Sequence, residues 1–289
     1  MKDGFIKVAA GTPDVHVADC EYNASEIIRM IHEMEAEGAR VMVFPELCIT
    51  AYTCGDLFWQ ENLLEEARKQ LFRIAKETKQ VNALIFVGLP LEYKGKLYNV
   101  AAGLNHGEVL GFVPKLHIPN YNEFYEARYF TSGENVDGTV TFRREDCGFC
   151  CADVAAGTDV DFGFEAELEA LEKEDEFEEL EEINETPDYI DEDMEDELPE
   201  QYIPISSNML FICQDMPKLK VAAEICEDLW VPNPPSVAHA YHGANLIVNL
   251  SASDEVVGKD SYRRSLVSSQ SARLLCGYIY ATAGEGEST

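Results

Sequence analysis

The chain has 289 residues, 46% of them hydrophobic, which suffices for one large α/β domain or two small ones. Its net charge of −32 argues against a nucleic-acid backbone as partner, and it lacks the run of about eighteen apolar residues that a membrane-crossing helix needs. Nine cysteines behind an N-terminus without an apolar leader point to free thiols in a reducing compartment, the cytoplasm.

Phe5 to Ala10 reads as a first strand. A helix is expected from Asn23 to Gly38, with Asn23 as cap, Glu26 completing a capping box, and Ile27, Met30, Ile31 and Met34 on the apolar face. The short apolar run Val41 to Phe44 is a buried strand ended by Pro45, with Glu46 next. A second helix spans about Glu61 to Lys79, with Leu64, Ala67, Leu71 and Ile74 on one face. Leu84 to Gly88 is a strand. Leu97 to Leu104 and Glu108 to Val113 form a hairpin around the turn signal Asn105-His106-Gly107, and Lys115 lies just past its end. Leu219 to Ile225 is a strand running into Cys226. Asn245 to Leu250 is another strand, Lys259 to Cys276 a helix and Gly277 to Thr282 a last strand. Helices thus alternate with short strands, which implies a layered α/β domain with a mixed sheet.

Residues 141–200 stand apart. Between Glu165 and Glu200 there are 20 acidic residues and one lysine, so most of the chain's acidity is local. This stretch is read as an insertion inside one domain of residues 1–140 and 201–289. Phe164, Leu168 and Leu171, then Phe177, Leu180 and Ile183, have helical spacing. Residues 186–200 cannot bury enough apolar area to offset the entropy of ordering and are expected to be disordered.

Three reactive groups fall immediately beyond strand C-termini: Glu46, Lys115 and Cys226. Strand carboxyl ends form the crevice of open α/β sheets, so residues distant in sequence can meet there. Together they suit acyl transfer. The carboxylate takes the thiol proton, the ammonium stabilises the oxyanion, and the Glu227 backbone N–H completes its hole. Singly, each is as well explained as a packing thiol or a loop charge. Cys48 and Cys54 read as packing thiols, His117 as a structural hydrogen-bonding group, and Trp59 and Trp230 as core or pocket walls. Cys147, Cys150 and Cys151 have no matching second pair for a metal.

The flanking sequences VFPELCITAYTCGDLF, PKLHIPNYNEFYEARYF, EICEDLW and NLSAS resemble, in order, the signature stretches of the nitrilase superfamily of carbon-nitrogen hydrolases. GDLF, NEFYEARYF and EICEDLW followed by PNPPS are most similar to its branch of N-terminal glutaminase domains of glutamine-dependent NAD+ synthetases. The resemblance covers roughly residues 4–135 and 207–289. It implies a four-layer αββα sandwich and a triad of Glu46 (acid and base), Lys115 and Cys226 (thioester-forming nucleophile). It also implies that Tyr121, Glu123 and Glu227 shape the pocket while Ser253 and Lys259 hold the amino-acid end of glutamine. Many members have arginine where Lys259 stands, and lysine offers a point charge without the bidentate fork.

The implied reaction releases ammonia from glutamine for amidation of nicotinic acid adenine dinucleotide. The synthetase domain that uses ATP and Mg for that step is absent: no SGGxDS-like loop and no G-x-x-x-x-G-K-[ST] occurs. No cofactor or metal is implied for this chain itself. The family continues with further strands beyond ATAGEGEST, so the domain is expected to be truncated at its C-terminus. Assembly as a homo-oligomer is also implied. The alternatives are a free-standing amidase of the same superfamily acting on another carboxamide, and an inactive module whose acidic arm binds a partner.

Overall fold

A computed structural model describes residues 4–142, 164–168 and 201–284. The elements follow in order as β1 (Lys7–Ala10), α1 (Cys20–Ala36), β2 (Ala39–Val43), α2 (Glu61–Glu77), β3 (Leu84–Tyr93), β4 (Lys96–Asn105), β5 (Glu108–Pro114), β6 (Asp137–Phe142), β7 (Phe164–Leu168), β8 (Gln201–Ser206), β9 (Met209–Cys213), β10 (Met216–Ile225), α3 (Pro235–Tyr241), β11 (Leu246–Ser251), α4 (Lys259–Leu274) and β12 (Gly277–Thr282). They build two mixed sheets, one in the order β1-β2-β3-β4-β5-β8-β6 and the other β12-β11-β10-β9-β7.

The alternation of side chains along the strands divides the core into layers. Met42, Phe44, Ile85, Val87 and Phe112 pack outward against Ile27 and Ile31 of α1 and Leu71 and Ile74 of α2. Val41, Val43, Phe86 and Ala101 face inward and meet Phe211, Val221, Ala223, Val248 and Leu250 of the second sheet. Phe86 and Phe211 interlock there as an edge-to-face pair with centroids 5.0 Å apart. A smaller cluster of Ala222, Ile247 and Cys276 lies under α3 and α4. The result is a four-layer αββα sandwich. Each fully buried Val, Leu, Ile or Phe contributes about 1.5–3 kcal/mol of transfer free energy, so the two sheets are held chiefly by this dry seam.

The β4–β5 hairpin turns at His106 and Gly107, both at positive φ (48° and 90°), the conformation a two-residue turn matched to strand twist demands. Two expectations need correction. Asn23 does not cap α1. The helix starts earlier, at Cys20, and the Asp19 carboxylate accepts from the Tyr22 N–H at 3.1 Å. Asn23 is buried and its amide instead donates to the carbonyls of His16 and Ile49, satisfying loop backbone that water cannot reach.

The second correction concerns the acidic segment. β6 runs to Phe142, and Phe164–Leu168 forms strand β7 rather than a helix, pairing antiparallel with β9. Phe164, Ala166 and Leu168 also alternate with Glu165 and Glu167, so the same residues satisfy a strand period, and the free edge of β9 selects it. The helix expected at Phe177 to Ile183, the disorder expected at 186–200 and the Cys147, Cys150 and Cys151 group lie outside the described residues.

Candidate active site

Glu46 sits just past β2, in a loop pressed onto β3. A Cβ placed on Gly88 would meet the Leu47 N at 2.3 Å and the Pro45 O at 2.7 Å, so only glycine lets this loop approach. Lys115 follows β5 directly. Its N–H donates to the Asn99 carbonyl of β4 and its own carbonyl accepts from Gly133, so strand pairing fixes where the side chain starts. Cys226 follows β10 at φ 44°, a left-handed conformation unusual for a residue with a Cβ and costing roughly 1–2 kcal/mol. The three strand ends converge as expected.

The Lys115 ammonium is fully buried and donates to Glu46 Oε1 at 2.5 Å and to both oxygens of Glu126, at 2.7 and 2.8 Å. Glu46 Oε1 also accepts from Asn99 Nδ2 at 2.7 Å, and its Oε2 from the Ala252 N–H at 3.0 Å. Glu126 accepts a further bond from the Tyr52 hydroxyl at 2.8 Å. Burial alone would depress the lysine, but Glu126 and Glu46 outweigh it and hold the ammonium well above its ordinary value. Burial pushes the Glu126 carboxyl up, Lys115 pulling against it and Glu46 adding to it. One cation between two carboxylates is a net negative cluster, which resists ionisation of a neighbouring thiol.

Cys226 is that neighbour. Burial and then Glu46 push its thiol up, opposed by Lys115. The Ser251 hydroxyl donates to its Sγ at 3.2 Å and is itself paired with the Tyr280 hydroxyl at 2.6 Å. Ser251 contacts the thiol and the next residue, Ala252, contacts Glu46, so thiol and carboxylate flank one stretch of β11's end. A thiol held neutral beside a carboxylate calls for proton removal during attack rather than a preformed thiolate.

Asp228 joins the lysine and cysteine loops. Its carboxylate accepts from the N–H groups of Leu116 (3.2 Å), His117 (2.8 Å) and Ile225 (3.0 Å) and pairs with His117 Nδ1 at 2.9 Å. Asp228 raises the His117 imidazole, so the pair is favoured with His117 protonated.

Of the residues expected at the substrate end, Tyr121, Glu123, Glu227 and Lys259 lie around this centre and are more exposed, while Ser253 is buried. The Tyr121 hydroxyl donates to Glu227 Oε2 at 2.8 Å. Glu123 is half-buried on the lining of a cavity of about 120 Å³ that also exposes Glu126 and Tyr52. Ser253 is buried next to Asp254, which pairs with the Lys259 ammonium. That ammonium also lies 5.4 Å from the Trp230 ring centroid and 5.7 Å from that of Phe124. Trp230 thus walls the region of Lys259, whereas Trp59 is exposed and leans on Tyr129. Cys48 is buried against the Gly88 carbonyl of β3 and Cys54 against the Thr50 carbonyl.

Sequence reasoning missed Glu126, which makes more contacts to Lys115 than Glu46 does. It lies in the quoted stretch NEFYEARYF, three residues after Glu123, on a short 3-10 turn (Glu126–Arg128) whose spacing cannot say which glutamate turns inward. Asn99, Asp228, Ser251 and Tyr280 were missed as well, since each acts through contacts made across more than twenty residues of chain. Among the described residues no cluster of three His, Cys, Asp or Glu is placed to hold a metal.

The family model for carbon-nitrogen hydrolases matches residues 7–284. A glutamine-dependent NAD(+) synthetase of Mycobacterium tuberculosis is 33% identical over 286 residues, 99% of this chain and 34% of the relative. The crystal structure of a glutamine-dependent NAD(+) synthetase from Cytophaga hutchinsonii superposes with a TM-score of 0.68 at 26% identity, covering 98% of this chain and 37% of that one. An amidase from Nesterenkonia sp. shares the fold, with a TM-score of 0.60 at 15% identity over 98% of this chain and 78% of its own. The chain spans about a third of the length of the curated synthetases it matches.

Proposed function

The chain belongs to the carbon-nitrogen hydrolase family, and from that premise we propose that it hydrolyses the side-chain amide of glutamine through a thioester on Cys226. The observation that carries this reading is the joining of Glu46 and Glu126 by the buried Lys115 ammonium beside the Cys226 thiol. Glu46 accepts the thiol proton as Sγ attacks the carboxamide carbon. Lys115 and the Glu227 N–H stabilise the oxyanion. The intermediate collapses to the thioester, and ammonia departs with the proton returned by Glu46. Glu46 then deprotonates the water that attacks the thioester and passes that proton to the departing Cys226 sulfur as glutamate leaves. Glu126 keeps Lys115 charged and aimed.

Glutamine is favoured over a simple amide by the charged groups at the pocket's outer end. The Lys259 ammonium suits an α-carboxylate, with Ser253 beside it, and the Glu227 and Glu123 carboxylates suit an α-ammonium. The similarity to NAD(+) synthetases supports the destination of the ammonia. A synthetase domain using ATP and Mg consumes it in the cytoplasm to amidate nicotinic acid adenine dinucleotide, within a homo-oligomer.

Incubation with a glutamine-derived electrophile followed by mass spectrometry tests the assignment. A single label at Cys226, protected by glutamine and absent in Cys226→Ala together with glutamate release, is expected. Labelling at Cys48 or Cys54, or equal protection by a simple amide, would overturn it.

A further inference from the structure

Glu224 lies two residues before the nucleophile and plays no part in the chemistry above. Parallel register puts it level with Asn249 on β11 and Tyr280 on β12, so these residues and Tyr278 share the face of the second sheet that looks toward α3 and α4. Glu224 is 1% exposed, and among the described residues no lysine or arginine is bonded to it. Its Oε2 accepts from the Ser236 N–H at 2.9 Å, and its Oε1 accepts a short bond from the Tyr278 hydroxyl. The Tyr278 oxygen in turn accepts from Asn249 Nδ2 at 3.2 Å, and Asn249 Oδ1 accepts from the backbone N–H of Cys226 at 3.2 Å. An unbroken chain of hydrogen bonds therefore runs from a buried carboxylate to the peptide group of the nucleophile.

Each link has a direction. A carboxylate only accepts, so Tyr278 must donate to it. That leaves the tyrosine oxygen as acceptor, which fixes the NH2 end of the Asn249 amide toward Tyr278 and its carbonyl end toward Cys226. Were the amide reversed, its NH2 would face the Cys226 N–H, donor against donor. The peptide so held is the one at φ 44°. A strained conformation persists only where its surroundings over-determine it, and here the bond that the Cys226 N–H donates to Asn249 supplies that constraint.

We infer that Glu224, Tyr278 and Asn249 are positioning residues for hydrolysis: they orient one amide so that it clamps the Cys226 N–H and thereby aims Sγ at the carboxamide carbon. The clamp also commits the nucleophile's own N–H, which leaves the oxyanion to Lys115 and the following peptide. Burial pushes the Glu224 carboxyl up to about 7, with the bonds from Tyr278 and Ser236 opposing it, so the far end of the chain is an ionised acceptor above that pH.

This inference rests on Cys226 being the nucleophile but not on glutamine being the substrate, and its test separates the two. Tyr278→Phe, Glu224→Gln and the double variant are compared with the unaltered chain. The readouts are glutamine turnover per titrated thiol and the rate at which iodoacetamide alkylates Cys226. Each single variant is expected to lose roughly 10- to 100-fold in kcat with KM changed less than about twofold, because misaiming by a fraction of an ångström acts on the reacting geometry and not on the substrate's charged end. Cys226 alkylation is expected to change in step, and the double variant to be no slower than the slower single one, as members of one chain require. Alkylation reports on Cys226 even if another amide is the substrate. A lowered melting temperature with kcat per thiol and alkylation both within about twofold of the unaltered chain would reduce these residues to fold stability. Multiplicative losses in the double variant would break the chain into unrelated contacts.

Discussion

The protein buries carboxylates on the two sides of Cys226 in different ways. On one side Glu46 and Glu126 share the Lys115 ammonium, with Asn99, Tyr52 and the Ala252 N–H filling the remaining positions. On the other, among the described residues, Glu224 has two neutral donors, Tyr278 and the Ser236 N–H, and no bonded cation. A buried ion needs a counter-charge or enough dipoles to replace water. The first arrangement makes a polar centre able to take up and return a proton. The second makes, once ionised, an acceptor at the end of a hydrogen-bond chain. On the proposed mechanism, the difference places the chemistry where the cation is and the aim where it is not.

Removing the cation breaks this contrast most severely. Lys115→Met leaves two carboxylates facing each other in a dry site. Breaking a buried pair by deleting one partner costs about 3–5 kcal/mol, and losing an oxyanion-stabilising group costs about 10²–10³ in kcat. Urea unfolding and glutamate release should show both losses together. Because two acids then compete for one proton, the variant should regain stability as pH falls. A variant as stable as the unaltered chain at neutral pH would mean that Lys115 is not holding the carboxylates.

How much of this was legible in sequence follows the same division. Glu46, Lys115 and Cys226 were readable because each directly follows an apolar strand, and strand ends converge by topology. β12 was found at its observed bounds, Gly277–Thr282, because an apolar run after a helix has few other readings. Glu126 was not readable. It sits on an aperiodic turn among other glutamates, and what selects it is a lysine eleven residues away whose ammonium already touches Glu46. Glu224, inside the strand that runs into Cys226, carries no local signal of a role. Its role depends on cross-strand register with Asn249, which no local pattern encodes. Likewise Asn23 looked like a cap, and β7 like a helix, because the backbone each one pairs with is distant in the chain.

A smaller effect sharpens the comparison through pH. Burial pushes Glu224 from 4.5 up to about 7. An acid raised in this way binds its proton more tightly folded than unfolded. It therefore helps folding below about pH 4.5, and that help is lost as pH rises through about 7. The shift corresponds to up to about 3 kcal/mol. Glu224→Gln cannot titrate, so its stability should fall less steeply across that window than the unaltered chain's, whatever its starting value. Urea unfolding at a series of pH values measures the two slopes. Parallel curves would show that Glu224 stays ionised throughout and that its neutral donors suffice.

The smallest effect compares two tyrosines that donate to buried carboxylates. Tyr52 donates to Glu126, which keeps two contacts to Lys115 when that bond is lost. Tyr278 donates to Glu224, which then keeps only the Ser236 N–H, and Asn249 loses its acceptor at the same time. Tyr52→Phe should therefore cost about 1 kcal/mol of stability, near the ordinary net value of a hydrogen bond, and Tyr278→Phe more. The Tyr52 bond lowers the Glu126 carboxyl, so its removal lets that carboxyl rise further. Less of the cluster is ionised at a given acid pH, and the acid limb of glutamine hydrolysis should move upward by about half a unit to one unit. Glu46, Glu126 and Lys115 titrate as one set, so the shift belongs to the cluster and not to Glu126 alone. An unmoved limb with an equal stability loss in the two phenylalanine variants would mean that a cation nearby makes no difference to what a neutral donor contributes.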